Sequence, residues 1–466
     1  MRRIFQHMNN RMDDTPQIKS GTTDSIISPQ GETYQLAKKA NFLPRNRFLA
    51  ICLVMLMSLV SISNLKAQTL QSYQQEAAQN NPELYALFLN YRSALEERSL
   101  TGTLPDPEVA FAYFISPIET RLGPQKARIS VTQMFPWFGS LADNRAISTA
   151  EAKARFEEFQ ERRNRLFYQI EELWGELYVI DRNIESVKGN LSIINTLLEL
   201  SLQQYENGLT SQVDVLRAQI EQEDLKTTLA LLQDNKSLLI QEFNELRNME
   251  PNDKVATPSE LNNSENSVDL EVSRLAQNPS LSKLRYTKEA SSNAVDLAAK
   301  EGKPGFGIGF DYIATGKRTD VVGLANNGKD ALIARASFRI PLFRNKYNAN
   351  VRQAKLNLSS VQQDITALEN QLETSFLTAQ RDVKDAQRRF ELYNETQIQR
   401  IEQAIRILTD SYSTSNSGFE EILRLQRKLL DYQLKRDQAK ADEFRAMSYI
   451  QYLNGVNNIS PNEINY

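Results

Sequence analysis

The 466-residue chain has one cysteine and one histidine, Cys52 and His7, and both fall within its first 67 residues. The rest of the chain therefore has no disulfide framework, no Cys/His metal site and no histidine-based catalytic triad. It also lacks a GxSxG elbow and a P-loop lysine motif, which argues against an enzyme. Glycine (17) and proline (15) are scarce, a composition that favours long, uninterrupted elements. Long apolar runs are missing as well. The run Phe48 to Val60, FLAICLVMLMSLV, is shorter than the roughly 20 residues a spanning helix needs. What is present is an ordinary globular balance, 41% hydrophobic and 24% charged, so the apolar residues must be patterned rather than massed.

The short apolar run follows Arg45 and Arg47 and precedes Leu65-Lys66-Ala67, the layout of an export signal. Cleavage is expected after Ala67; the alternative is a retained N-terminal membrane anchor. Residues 1–67 hold nine of the 55 Lys/Arg and four of the 58 Asp/Glu, leaving 46 basic against 54 acidic, net -8. An exported, acidic chain is a poor nucleic-acid binder, because neutralising phosphates needs a basic face.

The chain is a duplication. Asn81-Pro82-Glu83-Leu84 recurs as Asn278-Pro279-Ser280-Leu281, and PEVAFAY from Pro107 recurs as PGFGIGF from Pro304, both at an offset of 197. Further on the offset becomes 207: Tyr205 matches Tyr412, Asp214 matches Glu421, Leu216 matches Leu423 and Gln219 matches Gln426. The extra residues fall in a polar loop, where insertions are tolerated. The expected layout is an N-terminal extension and signal peptide over 1–67, a first repeat over 68–249, a polar linker over 250–268, a second repeat over 269–456 and a tail over 457–466.

Each repeat reads as a helix pair broken at Asn-Pro, two strands, a very long helix, a tight turn and a second long helix. Leu225, Leu229, Leu232, Lys236, Leu239, Phe243 and Leu246 recur every three or four residues, as do Leu191, Ile194, Leu198, Ser201 and Tyr205. Ile401, Ile405, Leu408 and Tyr412, then Ile422, Leu425, Leu429 and Tyr432, repeat the pattern. These are coiled-coil seams. Taken alone they suit a secreted or periplasmic structural scaffold.

The strands point elsewhere. Segments 108–116, 126–135, 305–313 and 331–340 have the length of tilted bilayer-spanning strands, about 9–11 residues. Phe306, Ile308 and Phe310 share a face opposite glycines, and Leu332, Ala334, Ala336, Phe338 and Ile340 share one opposite Arg335 and Arg339. Apolar outward and polar inward is the transmembrane-barrel alternation. Tyr113, Trp137, Phe138, Tyr312 and Phe343 lie at the strand ends, where interfacial aromatics belong. Four strands cannot close a barrel, and an open edge is forbidden in lipid. Two chains would give eight strands, about enough to fill their own lumen; three would give twelve and leave a passage.

The signal, the duplicated plan, the NPxL starts and the turn Tyr205-Glu206-Asn207-Gly208-Leu209-Thr210-Ser211-Gln212-Val213-Asp214-Val215-Leu216 together resemble TolC-type outer-membrane efflux proteins, over about residues 69–455. The resemblance implies a mainly α chain with a transmembrane β element: a homotrimer whose twelve-stranded barrel, set in outer-membrane lipid, continues as a long α-helical coiled-coil barrel in the periplasm. It implies a cofactor-free conduit that docks to a periplasmic adaptor and an inner-membrane efflux transporter. Tip residues carry over at Tyr205, Gly208 and Asp214. In the second repeat Tyr412 fits, Ser415 replaces the family glycine, Glu421 replaces the acid, and Gly418 is expected to serve the turn. Arg217 and Arg424, one helical turn beyond the acids, are expected to pair with them and latch the tip. The MFPWFG junction is similar to the metal-efflux branch. The cargo stays open between drug, metal ion and a protein leaving through a type I secretion duct.

Overall fold

The computed structural model describes residues 70–261, 272–415 and 418–459. The expected export signal, with Cys52 and His7, lies outside them, as do 262–268 of the linker and 460–466 of the tail. The described residues all fall within one compact unit of the chain, Ala67–Tyr466.

Its first repeat runs α1 (Leu70–Asn80), α2 (Pro82–Leu100), β1 (Glu108–Ile118), β2 (Gln125–Phe135), α3 (Ser140–Glu206) and α4 (Gln212–Leu246). A 3-10 turn, Val272–Gln277, opens the second, followed by α5 (Pro279–Glu301), β3 (Gly305–Thr315), β4 (Ala331–Arg339), α6 (Arg344–Glu391), a π turn (Leu392–Gln397), α7 (Ile398–Ser415) and α8 (Phe419–Leu453). All four expected strand segments are strands. Two expectations need correction. The segment before Asn278 is a 3-10 turn rather than an α-helix, and the long helix of the second repeat is interrupted by the π turn.

Helix α3 is 67 residues long, about 100 Å at 1.5 Å per residue. So long a helix cannot be buried in one core, and the apolar residues form successive clusters along it. Tyr73, Phe159, Ile170, Trp174, Leu177 and Phe243 make the central one. Val187, Ile194, Leu197, Leu225, Tyr412, Phe419 and Ile422 make another near the α3–α4 and α7–α8 turns. The repeats interlock, because α3 packs on α5 and α8 as well as on its own α2 and α4.

The NPxL motif has a double role. The Asn81 side chain accepts from Leu84 N–H at 3.0 Å, capping α2, and donates to the Leu246 carbonyl at 3.1 Å. Asn278 accepts from Ser280 N–H at 2.9 Å and donates to the Leu453 carbonyl at 2.9 Å. Each buried amide thus satisfies a free donor at a helix start and a free carbonyl at the end of its repeat's last helix. Leu84 and Leu281 are buried behind them.

The expected linker is docked where it is described. Ala256 N–H donates to the Tyr73 hydroxyl at 2.8 Å, and Leu261 is buried. The start of the tail is docked too, with Ile459 exchanging hydrogen bonds with the Gln160 side chain at 2.7 and 3.0 Å.

The sheet is antiparallel throughout in the order β1-β2-β3-β4, so β1 and β4 are its free edges. Cross-strand partners share a face. The register aligns Val131, Phe310 and Ala334, then Phe135, Phe306 and Phe338. On that face Val109, Phe111, Tyr113, Ile129, Ile308, Phe310, Leu332 and Phe338 are all exposed. The extra length of the second repeat lies in the loop 316–330, which leans on 119–124: Gly316 N–H donates to the Pro124 carbonyl and Gly328 N–H to the Leu122 carbonyl, both at 2.7 Å. Among the described residues no helix is long and apolar enough to cross a membrane.

Candidate functional site

The two helical turns carry the expected tip residues. After α3, Gly208 takes φ 71° and Leu209 N–H donates back to the Gln204 carbonyl at 2.9 Å, a left-handed helix ending that favours glycine. In the second repeat the left-handed residue is Gly418, φ 99°, at the start of α8. Gly418, the residue expected to serve the turn in place of Ser415, thus has its left-handed conformation at the start of a helix, where Gly208 has it after the end of one.

Asp214 accepts from Thr210 Oγ1 at 2.7 Å and pairs with Arg217 at 3.3 Å. Arg217 also reaches across the repeats to Glu420 at 2.9 Å, a contact the sequence reading missed. Arg424 holds Glu421 with two hydrogen bonds, and that contact keeps the Glu421 carboxyl below the usual range. A second missed contact joins the repeats, Arg427 to the buried Glu221 of α4, 2.5 Å apart. Neither Glu420 nor Glu221 has a repeat counterpart of the same type, so the duplication did not flag them.

Matched residues of the two repeats occupy opposite environments. Tyr412 is fully buried, tilted against Phe419 with ring centroids 5.1 Å apart, while Tyr205 is 44% exposed. Leu423 is 2% exposed and Leu216 48%. Gln426 is buried and Gln219 exposed. The heptad reading that put Tyr205 in a seam is therefore corrected: within one chain the seam stops at Ser201, which is buried.

The aromatics expected at a membrane interface fall at the two ends of the sheet. Phe138 is exposed and packs on Phe306 at 5.4 Å, and Phe306 stacks on Phe135 at 5.4 Å. Phe343 is exposed nearby in sequence to β4, whereas Trp137 is only half-exposed and lines a cavity at the strand–helix junction. Tyr113 and Tyr312 are exposed at the other end. Phe306 and Tyr312 are six residues apart on β3, about 20 Å at 3.3 Å per residue.

Two further features have chemical interest. Glu171, on α3, is buried among helices and accepts from Gln74 Nε2 at 2.7 Å. Burial pushes its carboxyl up to about 7. Among the described residues no group of three His, Cys, Asp or Glu side chains is placed to hold a metal ion.

Residues 73–249 match the model of the outer membrane efflux protein family. No curated protein matches the chain. Among solved structures, it is similar to the outer membrane protein VceC of Vibrio cholerae at TM-score 0.70 and 18% identity, over 83% of this chain and 96% of that one. It is similar to the CmeC outer membrane channel of Campylobacter jejuni at TM-score 0.67 and 15% identity, over 83% and 85%. It is similar to CusC at TM-score 0.63 and 16% identity, over 82% and 91%. The fold is that of the TolC-type outer-membrane channels, and the outer membrane efflux protein family is matched over 73–249, the first repeat.

Proposed function

We propose that the chain is one third of a passive outer-membrane exit duct serving a tripartite efflux pump. The observation that carries this reading is the mismatch between matched residues. Tyr412 and Leu423 pack against the first repeat of their own chain and Gln426 is buried, whereas Tyr205, Leu216 and Gln219 face outward. A second copy offering its second repeat to that surface would cover them in the same way, and the series closes when copies form a ring. The free edges of β1 and β4 call for the same partner, since an apolar sheet in lipid must pair all its backbone groups. Three copies would close a twelve-stranded barrel continued by a helical tunnel.

In this reading the repeats are 68–249 and 269–456, joined by 250–268, with 1–67 removed on export and 457–466 a short tail. The exposed apolar face meets outer-membrane lipid, with Tyr113, Tyr312, Phe138, Phe343 and Trp137 near its borders. The helical turns point into the periplasm toward an adaptor and an inner-membrane transporter. Three copies of Asp214 and Glu421 form a negative constriction, the usual device of cation-favouring pores, latched by Arg217 and Arg424. The conduit performs no chemistry; the pump supplies the energy and selects among drug, metal-ion and protein cargoes.

The test is to extract the full chain from outer membranes in mild detergent and measure its protein mass by light scattering. About three chains per particle are expected. A particle that is monodisperse in plain buffer would overturn the reading in favour of a soluble scaffold. In planar bilayers, D214N with E421Q should reduce cation preference; an unchanged reversal potential would remove these acids from the gate.

A further inference from the structure

The face of the sheet opposite the apolar one carries an ordered set of charges. The register sets Arg128 opposite Ile313, Arg335 opposite Gly309 and Arg339 opposite Gly305. Cross-strand partners share a face, so the three arginines project to one side at steps of four residues along β3, about 13 Å each. Two acids share that side. Glu108 lies in the Arg335 row, and Asp311 lies between the Arg128 and Arg335 rows. Asp311 is buried, with its carboxylate 3.5 Å from the Arg335 guanidinium. Cations exceed acids on this face, although the chain from residue 68 onward is net acidic.

The strand glycines explain how long side chains fit there. Arg335 donates to Thr132 Oγ1 at 3.0 Å. A Cβ at Gly309 would meet Thr132 Oγ1 at 3.2 Å and Arg335 Nη2 at 3.4 Å. With hydrogen in that place, the guanidinium lies along the wall instead of standing out from it. The GFGIGF run therefore clears room for arginine and has no nucleotide-binding geometry. At its inner end the arginine series reaches a cavity of about 480 Å³ where strands meet helices, lined by Arg339, Lys300, Lys303, Lys346 and Glu301. Lys300 is tied to Asp143 at 2.6 Å. Arg339, Lys303 and Lys346 have no ion-pair partner among the described residues.

We propose that this face is an anion track. It rests on the conduit reading above: once the apolar face meets lipid, this face lines the lumen, and three copies of the arginine series surround the passage. Rings of arginine and lysine favour anions in pores, and lumen-facing residues set selectivity in barrels. The solutes favoured in the barrel section are small anions bearing carboxylate, phosphate or sulfonate groups. The barrel and the tip are then of opposite sign.

The test uses the full-length oligomer in planar bilayers under a KCl gradient. R335Q with R339Q should lower the chloride-to-potassium permeability ratio about threefold. R339Q alone, which removes no ion pair, should lower it less, and D311N should raise it. Channels that conduct with the same ratio in all three variants would overturn the anion track while leaving the conduit intact. A wild-type oligomer that enters the bilayer and carries no current would overturn the conduit reading itself, and the track with it.

Discussion

Helices α4 and α8 are each 35 residues long, and both their ends differ by the same 207 positions. At this level the two repeats are copies. At the tips they diverge. Helix α3 runs unbroken to Glu206, while its counterpart is cut by the π turn at Leu392–Gln397, where Tyr393 stacks on Tyr432 at 5.3 Å. Arg217 reaches the other repeat, whereas Arg424 pairs with Glu421 of its own helix. The comparison teaches that duplication preserved how each repeat closes and released what its tip does. One surface was copied, then buried by one repeat and left outward by the other.

Substituting the matched tyrosines breaks the comparison most sharply. Y412A removes a fully buried ring and should cost roughly 3–5 kcal/mol, the range of large-to-small core changes. Thermal unfolding in detergent reads that loss. Y205A should leave the fold of the single chain untouched and weaken assembly, seen as a lower particle mass on dilution. Equal losses of fold stability at both positions would show that the repeats are equivalent after all.

Glu171 has Thr378 at the matched position of the second repeat. The folded carboxyl is raised from 4.5 to about 7 by burial, so the folded state holds its proton more tightly than the unfolded chain. Stability should be highest below about 4.5, fall as pH rises to about 7 and stay level above, a loss of up to about 3 kcal/mol. E171Q should flatten that profile, and a profile unchanged by the substitution would place the pH dependence elsewhere.

The asparagine ties should behave alike. N81A and N278A each lose a helix cap and strand a buried carbonyl, costing about 2 kcal/mol apiece. A large difference between them would mean that one repeat is closed by something else. The smallest effect belongs to R424Q. Stability should not move measurably, because the pair is exposed. The Glu421 carboxyl, now held low by Arg424, should rise toward its ordinary value. The pH at which acid abolishes cation preference in bilayers should therefore shift upward.

The strands and long helices were legible because their signals are periodic and local. Phe306, Ile308 and Phe310 alternate with small residues, and the heptads spell out the seams. The π turn was not legible, because one extra residue per turn leaves no mark on composition. The role of Asn81 as a tie to Leu246 was hidden by 165 intervening residues, although its repetition at Asn278 flagged the motif. The acids Asp214 and Glu421 came from the family resemblance, at matched positions of the two repeats. The cross-repeat pairs, Arg217 to Glu420 and Arg427 to Glu221, depend on how two hairpins pack, which no single repeat encodes. The arginine series was half visible: Arg335 and Arg339 stood out on β4, but alignment with Arg128 needs the strand register.

Because Asn81 ties to Leu246 and Asn278 to Leu453, neither closure uses the covalent link between the halves. Cutting the chain between 261 and 272 would leave two pieces, each with its own hairpin of strands and its own buckle. Supplied together in one cell, they should find each other through the α3 contacts with α5 and α8. Under the three-copy ring proposed above, six half-length chains would close the same ring.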